Sequence, residues 1–169
     1  MEIKQINQNG SLADKRFKVD VAAAFSEFAD NIYRLAFVRT RNKTDAEDVL
    51  QSTFLRLVKN SHKITSKEHL KAWLIRTALN QSNTLLGSSY RNKKADLKET
   101  IISGTDKTDE VLPLVLALSP KLKTVIYLFY YEGYSVEEIS KICSISVGTV
   151  KSRLSRARTT LKETLEGEF

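Results

Sequence analysis

Thr149, Lys151, Ser152, Arg153, Ser155, Arg156 and Arg158 crowd hydroxyls and cations into one short stretch. Short hydroxyls can meet base edges in a major groove, while Arg and Lys can meet base acceptors or backbone phosphates. The pattern beneath them is helical. Val150, Leu154, Ala157 and Leu161 fall on one stripe at i, i+4, i+7 and i+11. Gly148, Ser152, Ser155, Arg156 and Thr159 share the opposite face. Lys151, Arg158 and Lys162 line one edge and Arg153 lies at the other. An apolar back, small polar residues in front and cations on both rims suit a helix entering a major groove. A solvated basic helix in an ordinary bundle would share part of this layout.

Just upstream lies a second helix that would brace the first. Ser135 is an N-cap residue, and Glu138 three positions on completes a capping box. Val136, Ile139, Ile142 and Cys143 recur at helical spacing. Ser144-Ile145-Ser146 interrupts the pattern, and Ser146 can cap the next helix. Two short helices and a tight turn, over 135–161, result. Helices over 111–118 and 121–132, parted by Ser119-Pro120 and ended by Gly133, pack behind them.

The N-terminal half is helical as well. Asp20 caps a helix over 21–42 whose inward stripe is Phe25, Phe28, Ile32, Leu35 and Ala36. Thr44 with Glu47 forms another capping box, and Asp45 and Asp48 suit the positive end of the helix dipole. Ala46, Val49, Leu50, Thr53, Phe54 and Leu57 face inward from that second helix. Asp48, Gln51, Ser52, Leu55 and Lys59 face outward, so Leu55 is an apolar residue on a polar face. A third helix over 69–91 buries Leu70, Leu74, Ile75, Ala78, Leu79, Leu85 and Leu86. Its other side shows Arg76, Asn80, Asn83, Gly87 and Arg91, bordered by Trp73 and Tyr90. Asn side chains can read adenine edges, and aromatics can stack on unpaired bases.

Catalytic constellations are absent from this pattern. The densest carboxylates, Asp45, Glu47 and Asp48, sit at a helix start where capping explains them. His62 and His69 flank a loop with no cysteine or acidic cluster beside them. One cysteine, Cys143, allows no internal disulfide, and with only two histidines a zinc site is not expected. Neither a metal nor a cofactor is expected.

The chain has 169 residues, 41% of them hydrophobic, and a net charge of +7. Residues 1–92 carry 15 Lys and Arg against 9 Asp and Glu, 93–110 carry 4 against 5, and 111–169 carry 8 against 6. Two basic blocks flanking a slightly acidic segment are compatible with a polyanionic partner. No apolar run reaches the roughly 18 residues of a membrane span, and no signal segment opens the chain, so a cytoplasmic protein is expected. The expected organisation is all-α. A mobile arm over 1–19 precedes one small helical domain at 20–92, a flexible linker at 93–110 and a second helical domain at 111–169.

SVGTVKSRLSRAR, preceded by SPKLKTVIYLFYYEGYSVEEIS, resembles the recognition helix region of bacterial RNA polymerase sigma factors of the extracytoplasmic-function (ECF) group. Ser144 stands where that family usually has Gly, and Ser140 where it usually has Ala. A left-handed Ser144 would cost about 1 kcal/mol. DAEDVLQSTFLRLVKN resembles the sigma helix that grips the β′ clamp helices of core RNA polymerase. That implies polymerase contacts at Asp48, Gln51, Ser52 and Leu55. AWLIRTALNQSNTLLGSSYRNKK is similar to the segment that reads and opens the −10 promoter element. It implies −10 contacts at Trp73, Arg76, Asn80, Asn83, Tyr90 and Arg91. The recognition helix would read the −35 element through Thr149, Lys151, Ser152, Arg153, Ser155, Arg156 and Arg158.

The resemblance implies a sigma2-like domain and a sigma4-like helix-turn-helix domain. Core polymerase, its β-flap, promoter DNA and an anti-sigma factor are the partners it implies, with no catalysis by the chain itself. Two other readings compete. A helix-turn-helix regulator acting without polymerase would usually carry an α/β receiver, and no alternating βα pattern is seen. A recombinase with a DNA-binding tail would need a nucleophile or a metal cluster.

Overall fold

The computed structural model describes residues 17–91 and 111–167; for Ser89, Tyr90 and Arg91 it describes the backbone alone. Most of the expected arm, and the whole of the expected linker, lie outside the described residues. Every regular element among the described residues is helical.

Helix α1 spans Val21–Thr40. The Asp20 carboxylate accepts from the Ala23 amide at 3.1 Å, which satisfies one of the helix's free N–H groups. It ends two residues before the expected stop, because Arg41 turns left-handed (φ 54°) and its N–H closes on the Phe37 carbonyl at 2.8 Å. Helix α2 spans Lys43–Asn60. Asn42, not Thr44, is its cap, accepting from the Asp45 amide at 3.0 Å. Both residues are acceptable caps, and the left-handed Arg41 brings the chain round so that the earlier one is placed to do it.

After a 3-10 turn at Ser61–Lys63, helix α3 runs over Lys67–Arg91. It starts two residues earlier than expected, with the Ser66 hydroxyl accepting from the His69 amide at 3.0 Å. The His69 ring bonds back to Thr65, which gives that histidine a structural role. Helices α1 to α3 enclose Ile32, Leu35, Val49, Leu57 and Leu74, all almost fully buried. Each such side chain contributes on the order of 1.5–3 kcal/mol by leaving water. Phe25, expected in the core, is 47% exposed and meets the buried Phe54 ring edge-on at 4.9 Å.

The second unit comprises α4 (Leu112–Ala117), α5 (Pro120–Ile126), a π-helical turn (Tyr127–Tyr131), α6 (Val136–Cys143) and α7 (Val147–Gly167). The single helix expected over 121–132 thus widens at Tyr127, stacking the Tyr127 and Tyr131 rings at 5.4 Å. The capping box before α6 is complete. Glu138 accepts from the Ser135 amide at 2.8 Å, and the Ser135 hydroxyl accepts from the Glu138 amide at 3.2 Å. The Ser135 amide bond also holds the Glu138 carboxyl below its ordinary range. Ser144 does adopt the left-handed conformation, φ 54°. Ser140, half-buried on α6, donates its hydroxyl to the Ile145 carbonyl at 2.6 Å and so pins the same turn. The two residues that depart from the resembled pattern therefore act together.

The two units pack on one another through α1 against α5 and α3 against α6. Their buried side chains form one continuous apolar cluster.

Candidate functional site

Val150, Leu154 and Ala157 are buried, and Leu161 is partly so, as the stripe on α7 requires. That fixes the opposite face outward. Lys151, Ser152, Ser155 and Arg156 are all exposed on it. Ser152 donates to the Thr149 carbonyl at 3.0 Å. Thr149 is half-buried, and its hydroxyl lies 2.8 Å from that of Ser146, which caps α7 by accepting from the Thr149 amide. The structure thus gives Thr149 a capping role besides its place on the candidate face.

The two rim arginines differ. Arg158 donates through Nε to the Tyr130 hydroxyl at 2.9 Å, with its guanidinium over the Phe129 and Tyr130 rings. Arg153 is half-buried and turned toward the first unit, close enough to Arg39 and Cys143 to shift both.

On α2 the candidate surface is as the pattern requires. Leu55 is 64% exposed, with Asp48 and Gln51 exposed beside it and Ser52 partly covered. Burial of the Asp45 carboxyl, with Asp48 as a like-charged neighbour, raises its pKa. Val58, one turn beyond Leu55 on α2, is also exposed at 58%. The sequence pattern did not single it out, because an isolated Val near a helix end carries no signal.

The α3 face is split. Asn80 is exposed and Trp73 half-buried. Arg76 donates to the Lys141 carbonyl at 2.6 Å and the Ile142 carbonyl at 3.3 Å, so it closes the C-terminal end of α6, where a cation is favoured. Asn83 accepts from Arg39 through its side-chain oxygen. The side chains of Tyr90 and Arg91 lie outside the described residues.

Arg39 carries no signal in the residue pattern, yet it is central to the contact. It sits on α1, 7% exposed, and reaches three groups. These are the Asn83 amide oxygen, the Pro120 carbonyl at 2.5 Å and the Thr124 hydroxyl at 2.8 Å. Its Nε has no partner among the described residues. Lys123 is buried nearby, and desolvation, then repulsion from Arg41 and Arg39, brings its pKa down to about 8. At the other end of the contact Glu132 accepts from Asn31 at 3.1 Å and lies 4.0 Å from Lys71. In this conformer two of the candidate −10 residues, Arg76 and Asn83, are engaged by other parts of the chain.

A further groove, about 690 Å³, opens on the second unit between α4, the π turn and the end of α7. Val111, Val115, Ile126, Tyr130, Leu161 and Leu165 make it apolar.

The sequence matches the family model for Sigma-70 region 2 over residues 24–91 and that for Sigma-70 region 4 over residues 108–161. It is 32% identical over 162 residues to the ECF RNA polymerase sigma factor SigW of Bacillus subtilis, covering 82% of this chain and 84% of that one. The chain belongs to the ECF RNA polymerase sigma factors. Another relative, the sigma factor SigL of Mycobacterium tuberculosis, is 31% identical over 155 residues, covering 85% of this chain and 88% of that one.

Two solved structures share the architecture. The sigma factor RpoE of Bartonella quintana, in complex with the anti-sigma factor NepR, matches with a TM-score of 0.72 at 23% identity, over 86% of this chain and 96% of that one. CnrH in complex with the cytosolic domain of CnrY matches at 0.66 and 24%, over 88% and 89%. At these identities the likeness shows the fold alone. The boundary between the two sigma family matches falls at 92–107, within or beside the expected linker. Among the described residues no helix is long and apolar enough to cross a membrane, and no three His, Cys, Asp or Glu side chains converge.

Proposed function

We propose that this sigma factor docks on core RNA polymerase through the outward face of α2, reads and opens the −10 element with α3, and reads the −35 element with α7. The observation that carries the reading is the exposed face of α7. Lys151, Ser152, Ser155 and Arg156 stand clear of both units, while Val150, Leu154 and Ala157 hold the helix to its own core. A basic helix with its polar face free and its apolar face committed can enter a groove without unfolding.

Asp48, Gln51, Ser52 and Leu55 form the polymerase contact in this reading, with Leu55 as the apolar anchor. Trp73, Arg76, Asn80, Asn83, Tyr90 and Arg91 form the −10 surface. The domains run over 20–92 and 111–169. The apolar groove beside Tyr130 and Leu165 is of a size and character to seat a helix from the β-flap or from an anti-sigma factor. Phosphodiester formation belongs to the polymerase, and the chain supplies binding and DNA opening in the cytoplasm. Arg76 and Asn83 are free for DNA only when the two domains part, so promoter reading follows opening of the contact held by Arg39.

Pull-down with core polymerase tests the docking face. Asp48→Arg and Leu55→Asp alter exposed side chains, so both variants fold, as circular dichroism will record. Each should bind core polymerase about tenfold more weakly or worse, the loss expected at an interface anchor. Undiminished binding by both would refute the assignment.

A further inference from the structure

Between the two domains lies a cavity of about 280 Å³ that no DNA duplex could enter in this conformer. Arg39 and Arg76 from the first domain and Lys121 and Arg153 from the second line it, with the amides of Asn80 and Asn83 between them. Among the described residues no carboxylate lines it. Glu132, the acid that joins the domains, works at the other end of the contact with Asn31 and Lys71.

Four cations line the cavity with no counter-charge among the described residues, and their mutual repulsion opposes domain closure. The neighbouring groups record the imbalance. Arg39 has its pKa lowered by burial and then by Arg153, against a raising influence from Cys143. The Cys143 thiol is pushed up by burial, with Arg153, Arg39 and Arg76 acting in the opposite sense. No acid is among the groups that shift either of them. Arg76 and Arg39 are held by neutral carbonyl, hydroxyl and amide oxygens, so their charge is unneutralised. Lys121 and Arg153 have no bond or ion pair among the described residues, which leaves their donors free for a ligand.

We propose that this cavity is a binding site for a small multivalent phosphoryl anion, of the pyrophosphate class, which locks the two domains together. Guanidinium groups match phosphoryl oxygens in geometry and charge. The volume lies just below the roughly 300–1,000 Å³ of sites that hold whole organic ligands, so it fits one or two phosphoryl groups. Both domains contribute cations, so the site exists only when they are together. A ligand that binds the closed arrangement alone shifts the population toward it. Closure keeps Arg76 and Asn83 engaged, so the anion would withhold the −10 surface from DNA. The site rests on the geometry of the cavity and not on the assignment of DNA contacts.

The test is calorimetric titration of the full chain with sodium pyrophosphate at constant ionic strength and without divalent metal. Hydrogen exchange is followed over α5 and α6. One pyrophosphate should bind per chain, and exchange in both helices should slow in step with occupancy. Lys121→Ala with Arg153→Ala removes two unpaired cations, so the fold is retained. It should weaken binding by about tenfold or more, as expected for loss of charged hydrogen bonds. Lys59→Ala with Lys63→Ala, removing exposed cations outside the cavity, should leave binding unchanged. Absence of binding by the parent chain, or equal binding by the Lys121/Arg153 variant, would overturn the site. Binding that leaves exchange in α5 and α6 unaltered would overturn the lock.

Discussion

Lys123 offers a quantitative test of how the domains meet. It is 3% exposed, lies against the end of α1, and has Arg41 and Arg39 as charged neighbours, with no acid among the described residues shifting it. Its pKa is about 8 in the folded chain against 10.5 ordinarily. The folded state therefore holds the proton less tightly than the unfolded one. At pH 7 both states are protonated, and the charged ammonium costs the fold about 3 kcal/mol, at 1.36 kcal/mol per unit of pKa. As pH rises through 8 the folded state releases its proton first, so stability increases up to the unfolded pKa. By pH 9.5 about 2 kcal/mol of the cost should be recovered. Lys123→Met keeps the length and removes the charge. It should raise stability at pH 7 by up to about 3 kcal/mol, with a rise of about 2–4 °C in Tm for each. Urea denaturation of parent and variant from pH 7 to 9.5 provides the assay. The difference between the two should shrink by about 2 kcal/mol across that range. A difference that stays constant with pH would refute the reasoning, because it would place Lys123 in water or beside an unrecognised counter-charge.

The turn before α7 and the face of α7 yield the other expectations. Ser144→Gly relieves a left-handed residue and should stabilise the second domain by about 1 kcal/mol. Ser140→Ala loses the bond to Ile145 and should cost about 1 kcal/mol, both read by denaturant midpoints. In salt titrations on preferred and scrambled −35 duplexes, Arg156→Ala should lose roughly 1–3 kcal/mol on the preferred sequence and much less on the other. Arg158→Ala should weaken both equally and lower the salt slope by about one. Equal losses for Arg156→Ala on both duplexes would show that it reads no base. Asn80→Ala should reduce thymine reactivity to permanganate in open complexes while sparing binding to core polymerase. Unchanged reactivity would return Asn80 to plain solvent surface.

Local signals carried much of the fold. The Ser135–Glu138 box, the Ser146 cap and the left-handed Ser144 are short-range chemistry, legible from residue types a few positions apart. So were most of the buried stripes on α2, α3 and α7, where helical spacing separates inside from outside, although Leu50, Leu85, Leu86 and Leu161 are only half-buried. Errors arose where two local solutions compete. Asn42 and Thr44 are both good caps, and the bend at Arg41 decided between them. Tyr127 continues a helical pattern, yet the backbone widens there to stack two tyrosines. Phe25 has the spacing of a core residue, yet its ring lies at the rim, 47% exposed and edge-on to Phe54.

The contact between domains was not legible at all. Arg39 follows an apolar run and resembles an ordinary basic residue at a helix end. Its partners Asn83, Pro120 and Thr124 lie 44 to 85 positions away. Arg76 was visible as a candidate for DNA, but nothing local indicates that it also closes the end of α6. The same residues can thus serve promoter reading in one arrangement of the chain and domain packing in another.

The central claim is that this chain directs polymerase to promoters, and in vitro transcription on a library of genomic fragments tests it most directly. Core polymerase with the chain should start transcripts at a small set of fragments sharing two elements about one sigma length apart. Neither component alone should do so, and Leu55→Asp should abolish the signal. Fragment-specific binding by the chain alone, with no transcript added by its presence, would contradict the claim and favour a regulator that works without polymerase.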